Sequence, residues 1–75
     1  PGWVDTPMFE ATLANISEKT GASVDEARAR IEKMVPLGRV LTPEEVARTV
    51  AFVVGPDASH LTGQALVLDG GETVQ

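Results

Sequence analysis

The stretch Gln64-Ala65-Leu66-Val67-Leu68-Asp69 constrains this chain more than any other. It is a short apolar run between turn signals, Leu61-Thr62-Gly63 before it and Gly70-Gly71 after it, which is the pattern of a buried strand. Leu66, Val67 and Leu68 in succession require cover on both faces, and the backbone N–H and C=O groups of a buried strand require neighbours. The remaining regular segments read as helices, so the sheet this strand needs is not contained in the 75 residues. The expectation is a piece of a larger α/β domain, or an intimate subunit of one.

The opening residues point the same way. Pro1-Gly2 breaks regular structure, Trp3 and Val4 are apolar, and Thr6-Pro7 pairs an N-cap with a proline at the first helical position, where its missing N–H costs nothing. This reads as a loop that leaves an upstream strand and enters a helix. Loops at the carboxyl ends of strands are where open α/β sheets bind ligands.

Three helices follow. From Pro7 to about Lys19, Phe9, Leu13 and Ile16 fall at helical spacing, and Gly21 takes the left-handed position after the end. Ser23-Val24-Asp25-Glu26 is a capping box that opens a second helix with the stripe Val24, Ala27, Ile31 and Met34, while Arg28, Arg30, Glu32 and Lys33 cover its other side and Pro36 stops it. Thr42-Pro43-Glu44-Glu45 combines cap, N1 proline and N3 glutamate, and predicts a third helix to about Val54, closed by Gly55-Pro56. The first two stripes are narrow, so each helix needs a body to lie on. The third helix has a wide face of Val46, Ala47, Val50, Ala51, Val53 and Val54, and is predicted to be the well-packed one, close against a sheet.

Charge and composition serve mainly to exclude. Eleven Asp and Glu against six Lys and Arg give a formal net charge of −5, with the acids in helix starts. No basic patch is present for a phosphate backbone, so nucleic acid is not an expected partner. No apolar run approaches the roughly 20 residues that cross a bilayer, so no membrane partner is expected and a cytoplasmic location is. The absence of cysteine and the single histidine offer neither disulfide nor metal site as a staple for so short a chain. A start at Pro1 rather than Met predicts a processed or truncated beginning.

Five blocks fall in one order: Pro1-Gly2-x-Val4-x-Thr6-Pro7-Met8, Pro36-Leu37-Gly38-Arg39, Pro43-Glu44-Glu45-Val46-Ala47, Leu61-Thr62-Gly63-Gln64 and Asp69-Gly70-Gly71. Together they resemble the C-terminal third of short-chain dehydrogenases/reductases. The resemblance implies an α/β fold, a Rossmann-like doubly wound parallel sheet of which this chain holds three helices and the last strand. It divides 1–75, one C-terminal segment of that domain, into a nicotinamide loop at 1–6, a two-helix substrate lid at 7–35, a crossover helix at 42–55 and the last strand at 64–69. It further implies NAD or NADP as cofactor, a small-molecule carbonyl or alcohol substrate, and the rest of the same domain upstream. A homotetramer is implied too, with the last strand and the helix before it at a subunit interface, where Phe52 would lie. The stretch from Ser23 to Gly38 looks most like 3-oxoacyl-thioester and polyketide ketoreductases, which implies an oxidoreductase interconverting a ketone and a secondary alcohol.

Carried over by position, the resemblance gives Pro1 and Gly2 the task of shaping the backbone beside the nicotinamide ring. Val4 would hold the carboxamide with its backbone groups, and Thr6 would hydrogen-bond the carboxamide or a pyrophosphate oxygen, as a helix N-terminus and a hydroxyl favour a nearby anion. Trp3, Met8 and Phe9 are the substrate-side candidates. The family's glycine-rich phosphate loop and its catalytic serine, tyrosine and lysine have no counterparts here, and the chain has no tyrosine at all, so no catalytic residue is assigned.

Plainer readings stand beside these. Thr6 can be an N-cap alone, Trp3 a core anchor, and Met8, Phe9 and Leu13 packing residues. His60 reads as an exposed turn residue. Arg39 could meet a phosphate of an acyl carrier, but reads better as bonding carbonyls near the last helix, and Asp69 as a turn residue rather than a metal ligand. For the whole chain the alternative is a free-standing small helical interaction module without catalytic activity, in which 64–69 add to a partner's sheet edge.

Overall fold

A computed structural model of the protein describes residues 1–74. Helix α1 spans Pro7–Thr20, α2 Val24–Lys33 and α3 Pro43–Val54, and a 3-10 turn covers Pro56–Ala58. The local signals account for these limits. The Phe9 N–H donates to Thr6 Oγ1 at 3.3 Å, and Gly21, at φ 76°, donates back to the Ser17 carbonyl. Both capping boxes are formed. Glu26 N–H donates to Ser23 Oγ at 3.1 Å while Ser23 N–H reaches Glu26 Oε1 at 3.3 Å. Glu45 and Thr42 exchange the same two bonds at 3.2 and 2.9 Å.

The core lies between α1 and α2. Phe9 and Leu13 meet Ala27 and Ile31, with Val40 from the following connection, and Trp3 and Ile16 pack against this cluster. Leu13 is 0% exposed. Two narrow stripes thus cover each other in part, with Val40 and Trp3 completing the cluster, while Val24 and Met34 of the α2 stripe stay exposed.

Helix α3 departs from expectation. None of its residues is buried, and Val50, Phe52, Val53 and Val54 are exposed. A broad face of β-branched residues needs a flat apolar surface, and the described residues contain no sheet to provide one. The same shortage explains residues 64–69, which form no strand. A strand is a ladder of backbone bonds, and the backbone bond this segment makes across the chain is Gly2 N–H to the Leu68 carbonyl, 2.8 Å. Leu66 and Val67 are exposed. The β-pairing found among the described residues is instead a parallel bridge between Val4 and Leu41.

The dimensions reflect this open side. The radius of gyration is 15.1 Å, against about 11 Å for a compact chain of this length. The accessible surface is 5543 Å², against about 4,400 Å² for a compact monomer of this mass. Among the described residues no helix is long and apolar enough to cross a membrane.

Candidate functional site

The loop of residues 1–6 is pinned at two places. Gly2 N–H holds the Leu68 carbonyl, while Leu41 N–H donates to the Trp3 carbonyl at 2.9 Å and Asp5 N–H to the Leu41 carbonyl at 2.8 Å. In a parallel bridge of this register, one residue bonds the two that flank its opposite number. The N–H and C=O of Val4 therefore face away from Leu41. Among the described residues the Val4 N–H has no partner, and the Val4 carbonyl meets only the Thr6 hydroxyl, at 3.3 Å. One donor and one acceptor thus stand side by side on the free edge of the loop. A primary carboxamide, with an NH₂ and a carbonyl, has the complementary pair.

Glycine is required at position 2 by close approach. A Cβ there would lie 2.8 Å from Asp69 Cβ and 3.0 Å from its Cα. Asp69 itself is occupied in a turn. Its carboxylate accepts from Gly71 N–H at 2.9 Å, Thr73 N–H at 3.0 Å and Thr73 Oγ1 at 2.6 Å. The Thr73 hydroxyl, followed by the backbone donors, holds the Asp69 carboxyl below its usual range. This is the turn role read from the sequence, and no cluster of three metal-ligating side chains occurs among the described residues.

Gly2, Trp3, Val4, Thr6, Met8 and Phe9 line one hollow of about 220 Å³ beside α1. The structure therefore assembles all but one of the sequence-predicted site residues. Pro1 is the exception, facing a separate hollow with Val46, Val50 and Leu66. The members differ in what they can offer. Met8 is 80% exposed and free to meet a ligand, whereas Phe9 is 3% exposed and serves as floor, its ring belonging to the α1–α2 core. Trp3 is partly buried, its ring 5.6 Å from that of Phe9, so it anchors the loop and lines the hollow at once. Thr6 caps α1, accepting from Phe9 and donating to Val4, which leaves its hydroxyl oxygen one further lone pair.

Two arginines frame the region. Arg39 holds Glu45 through both terminal nitrogens, at 2.7 and 2.8 Å, and donates to the Val40 carbonyl at 3.2 Å. Bonding to Arg39, then to the Thr42 backbone, lowers the Glu45 carboxyl to about 2. The Val40 bond is the carbonyl role expected of Arg39. Arg28 is the residue that sequence reasoning missed, because it placed this side chain on a solvent face. Its Nη2 donates to Asp5 Oδ1 at 3.1 Å and Glu10 Oε1 at 2.9 Å, and its guanidinium lies 5.1 Å from the centre of the Phe9 ring. Asp5 chiefly raises the Arg28 pKa. These partners lie 23 and 18 positions away in the chain, beyond any helical spacing rule. His60 is exposed in the turn after the 3-10 segment.

Comparison with known proteins supplies the context. The enoyl-(acyl carrier protein) reductase family model matches residues 1–73. A diacetyl reductase [(S)-acetoin forming] of Staphylococcus aureus is 37% identical over 71 residues, which is 95% of this chain and 28% of that protein. The fold of the whole chain is similar to part of a short chain dehydrogenase family protein from Francisella tularensis subsp. tularensis SCHU S4. The TM-score is 0.95 and the identity 36%, over 100% of this chain and 31% of that one. An actinorhodin polyketide ketoreductase variant with NADPH gives a TM-score of 0.85 and 43% identity, over 100% of this chain and 29% of that one. The chain thus spans less than a third of the length of the relatives it matches.

Proposed function

The chain belongs to the short-chain dehydrogenase/reductase family, whose members use NAD or NADP, and from that premise we propose that it forms the C-terminal segment of an oxidoreductase interconverting a ketone and a secondary alcohol. The observation that carries this reading is the free edge of Val4, where an unpartnered N–H and a nearly unpartnered C=O lie together in a hollow next to a helix start. The donor set suits a nicotinamide carboxamide.

NAD(P), when bound, supplies or accepts the hydride. The residues of this chain bind and orient. Gly2 lets the loop lie against the Asp69 turn. Val4 takes the carboxamide through its backbone, and Thr6, while capping α1, presents its hydroxyl oxygen to the same region. Residues 7–35 act as the lid, a packed pair that can move as one body, with Met8 exposed at its edge and Trp3 and Phe9 behind it. The substrate is a 3-oxoacyl thioester or a close relative; the likeness to a polyketide ketoreductase supports this class. Residues 42–55 cross over to a last strand at 64–69, which becomes a ladder beside the rest of the sheet. That strand and α3, with Phe52, meet other subunits of a homotetramer. The general acid lies elsewhere in the enzyme, since this chain has no tyrosine. A free-standing module would fold α3 onto its own core, whereas the α3 face is open.

The test uses the whole protein that carries this chain. Val4→Pro removes an N–H that no internal group uses, and its ring also replaces the valine side chain and fixes φ, so Val4→Ala, which keeps the N–H, is its control. NADPH or NADH affinity, followed by nucleotide fluorescence, is expected to fall about tenfold further than in Val4→Ala, the increment being the loss of one hydrogen bond. Absence of binding to either nucleotide by the unmutated protein would overturn the assignment.

A further inference from the structure

We propose that Arg28 is a positioning residue that couples the second lid helix to the nicotinamide loop. The proposal rests on the reading of loop and lid given above. Arg28 is the side chain of α2 that touches three things at once: Asp5 of the loop, Glu10 in the first turn of α1, and the face of the Phe9 ring. Asp5 adjoins Val4, and its own N–H is fixed to the Leu41 carbonyl. A displacement of α2 therefore pulls on the residue next to the free edge.

The chemistry makes the link selective. One nitrogen, Nη2, serves both carboxylates, so the single charge of Arg28 offsets the repulsion between two like charges brought together at the start of α1. Exposed ion pairs taken singly contribute little, but here two share one cation that also stacks on a buried ring. Without the cation, Asp5 and Glu10 repel, and α2 loses its side-chain link to the pinned loop. By linkage, a ligand that holds the loop also steadies α2, and a lid that closes on substrate tightens the loop on its ligand. Lysine at this position can still donate to both carboxylates but cannot cover the ring as guanidinium does.

Hydrogen–deuterium exchange of the full-length protein, with and without NADPH, tests the link. In the unmutated protein NADPH slows exchange in peptides covering 1–6 and 24–33. In Arg28→Met the slowing at 1–6 persists, and that at 24–33 falls about fivefold; Arg28→Lys restores most of it. Equal slowing at 24–33 with and without the arginine overturns the proposal. If NADPH protects nothing at 1–6 in the unmutated protein, the cofactor reading has failed, and the link is read without nucleotide. It then survives if Arg28→Met and Asp5→Asn together speed exchange at 24–33 no more than Arg28→Met alone, and is overturned if their effects add. Should Arg28→Met not fold, Arg28→Gln, which keeps a polar side chain but removes the charge, replaces it in both arms.

Discussion

Helices α1 and α2 bury Phe9, Leu13, Ala27 and Ile31 against each other, whereas α3, with the wider apolar face, buries nothing. The contrast separates two ways of using an apolar stripe. Two narrow stripes on adjacent helices close on each other through a short turn, so their cover is local in sequence. A broad valine face fits a sheet, and its cover is remote. On the function proposed above, the first pair would serve as the lid and α3 as a wall of the main core.

The largest expected effect tests that division directly. Leu13→Ala empties a fully enclosed site and is expected to destabilise the protein by about 2–5 kcal/mol, read from chemical denaturation. Val50→Ala is expected to cost about 2 kcal/mol in the complete protein, because its two lost methyl groups are covered there, and close to nothing in the isolated segment, where Val50 is exposed. Equal, negligible costs in both contexts would erase the contrast.

Gly70→Ala comes next. A Cβ at φ +66° would stand 2.5 Å from Val35 Cγ1, so the substitution is expected to cost about 1–3 kcal/mol, measured by the thermal midpoint. Capping effects are smaller and sharpen the comparison between helices. Ser23→Ala and Thr42→Ala are each expected to cost about 1 kcal/mol. The Ser23 loss should appear as faster amide exchange confined to α2, and the Thr42 loss as exchange in α3. Both outcomes are checked by the same exchange measurement.

The smallest effect concerns acid. The Glu45 carboxyl is lowered from 4.5 to about 2 in the folded chain by Arg39. A depressed carboxyl contributes stability that is complete above its unfolded value and lost as pH falls from about 4.5 toward 2. Arg39→Gln should lower the urea midpoint at neutral pH and flatten its decline across that window, so that the two proteins converge near the acid end. Parallel curves would show that the pair does not contribute.

What could be read from the sequence follows the same divide. Thr6, Ser23 and Thr42 mark the three helix starts because caps act on amides two or three residues away. Gly2, Val4 and Thr6, read as cofactor contacts from family resemblance, and Trp3, Met8 and Phe9, read as substrate contacts, lie around one hollow because they are neighbours in the chain. The sequence predicts α3 packed against a sheet and a strand at 64–69, and neither forms among the described residues, because both need a sheet that these residues do not supply. Arg28 escaped for a related reason. Its two carboxylates come together only after α2 folds back along α1, and no spacing pattern announces that.

The bridge between Val4 and Leu41 has one more consequence. Bonds from Leu41 to both neighbours of Val4 fix the loop from behind before anything meets its front edge. A ligand arriving at that edge finds a docking strip that has already given up its conformational freedom on folding, so little ordering entropy is left to oppose capture. Affinity at such a strip depends on keeping its rear support: on the proposed role of Val4, a change at Leu41 should weaken nucleotide binding by loosening Val4 from behind.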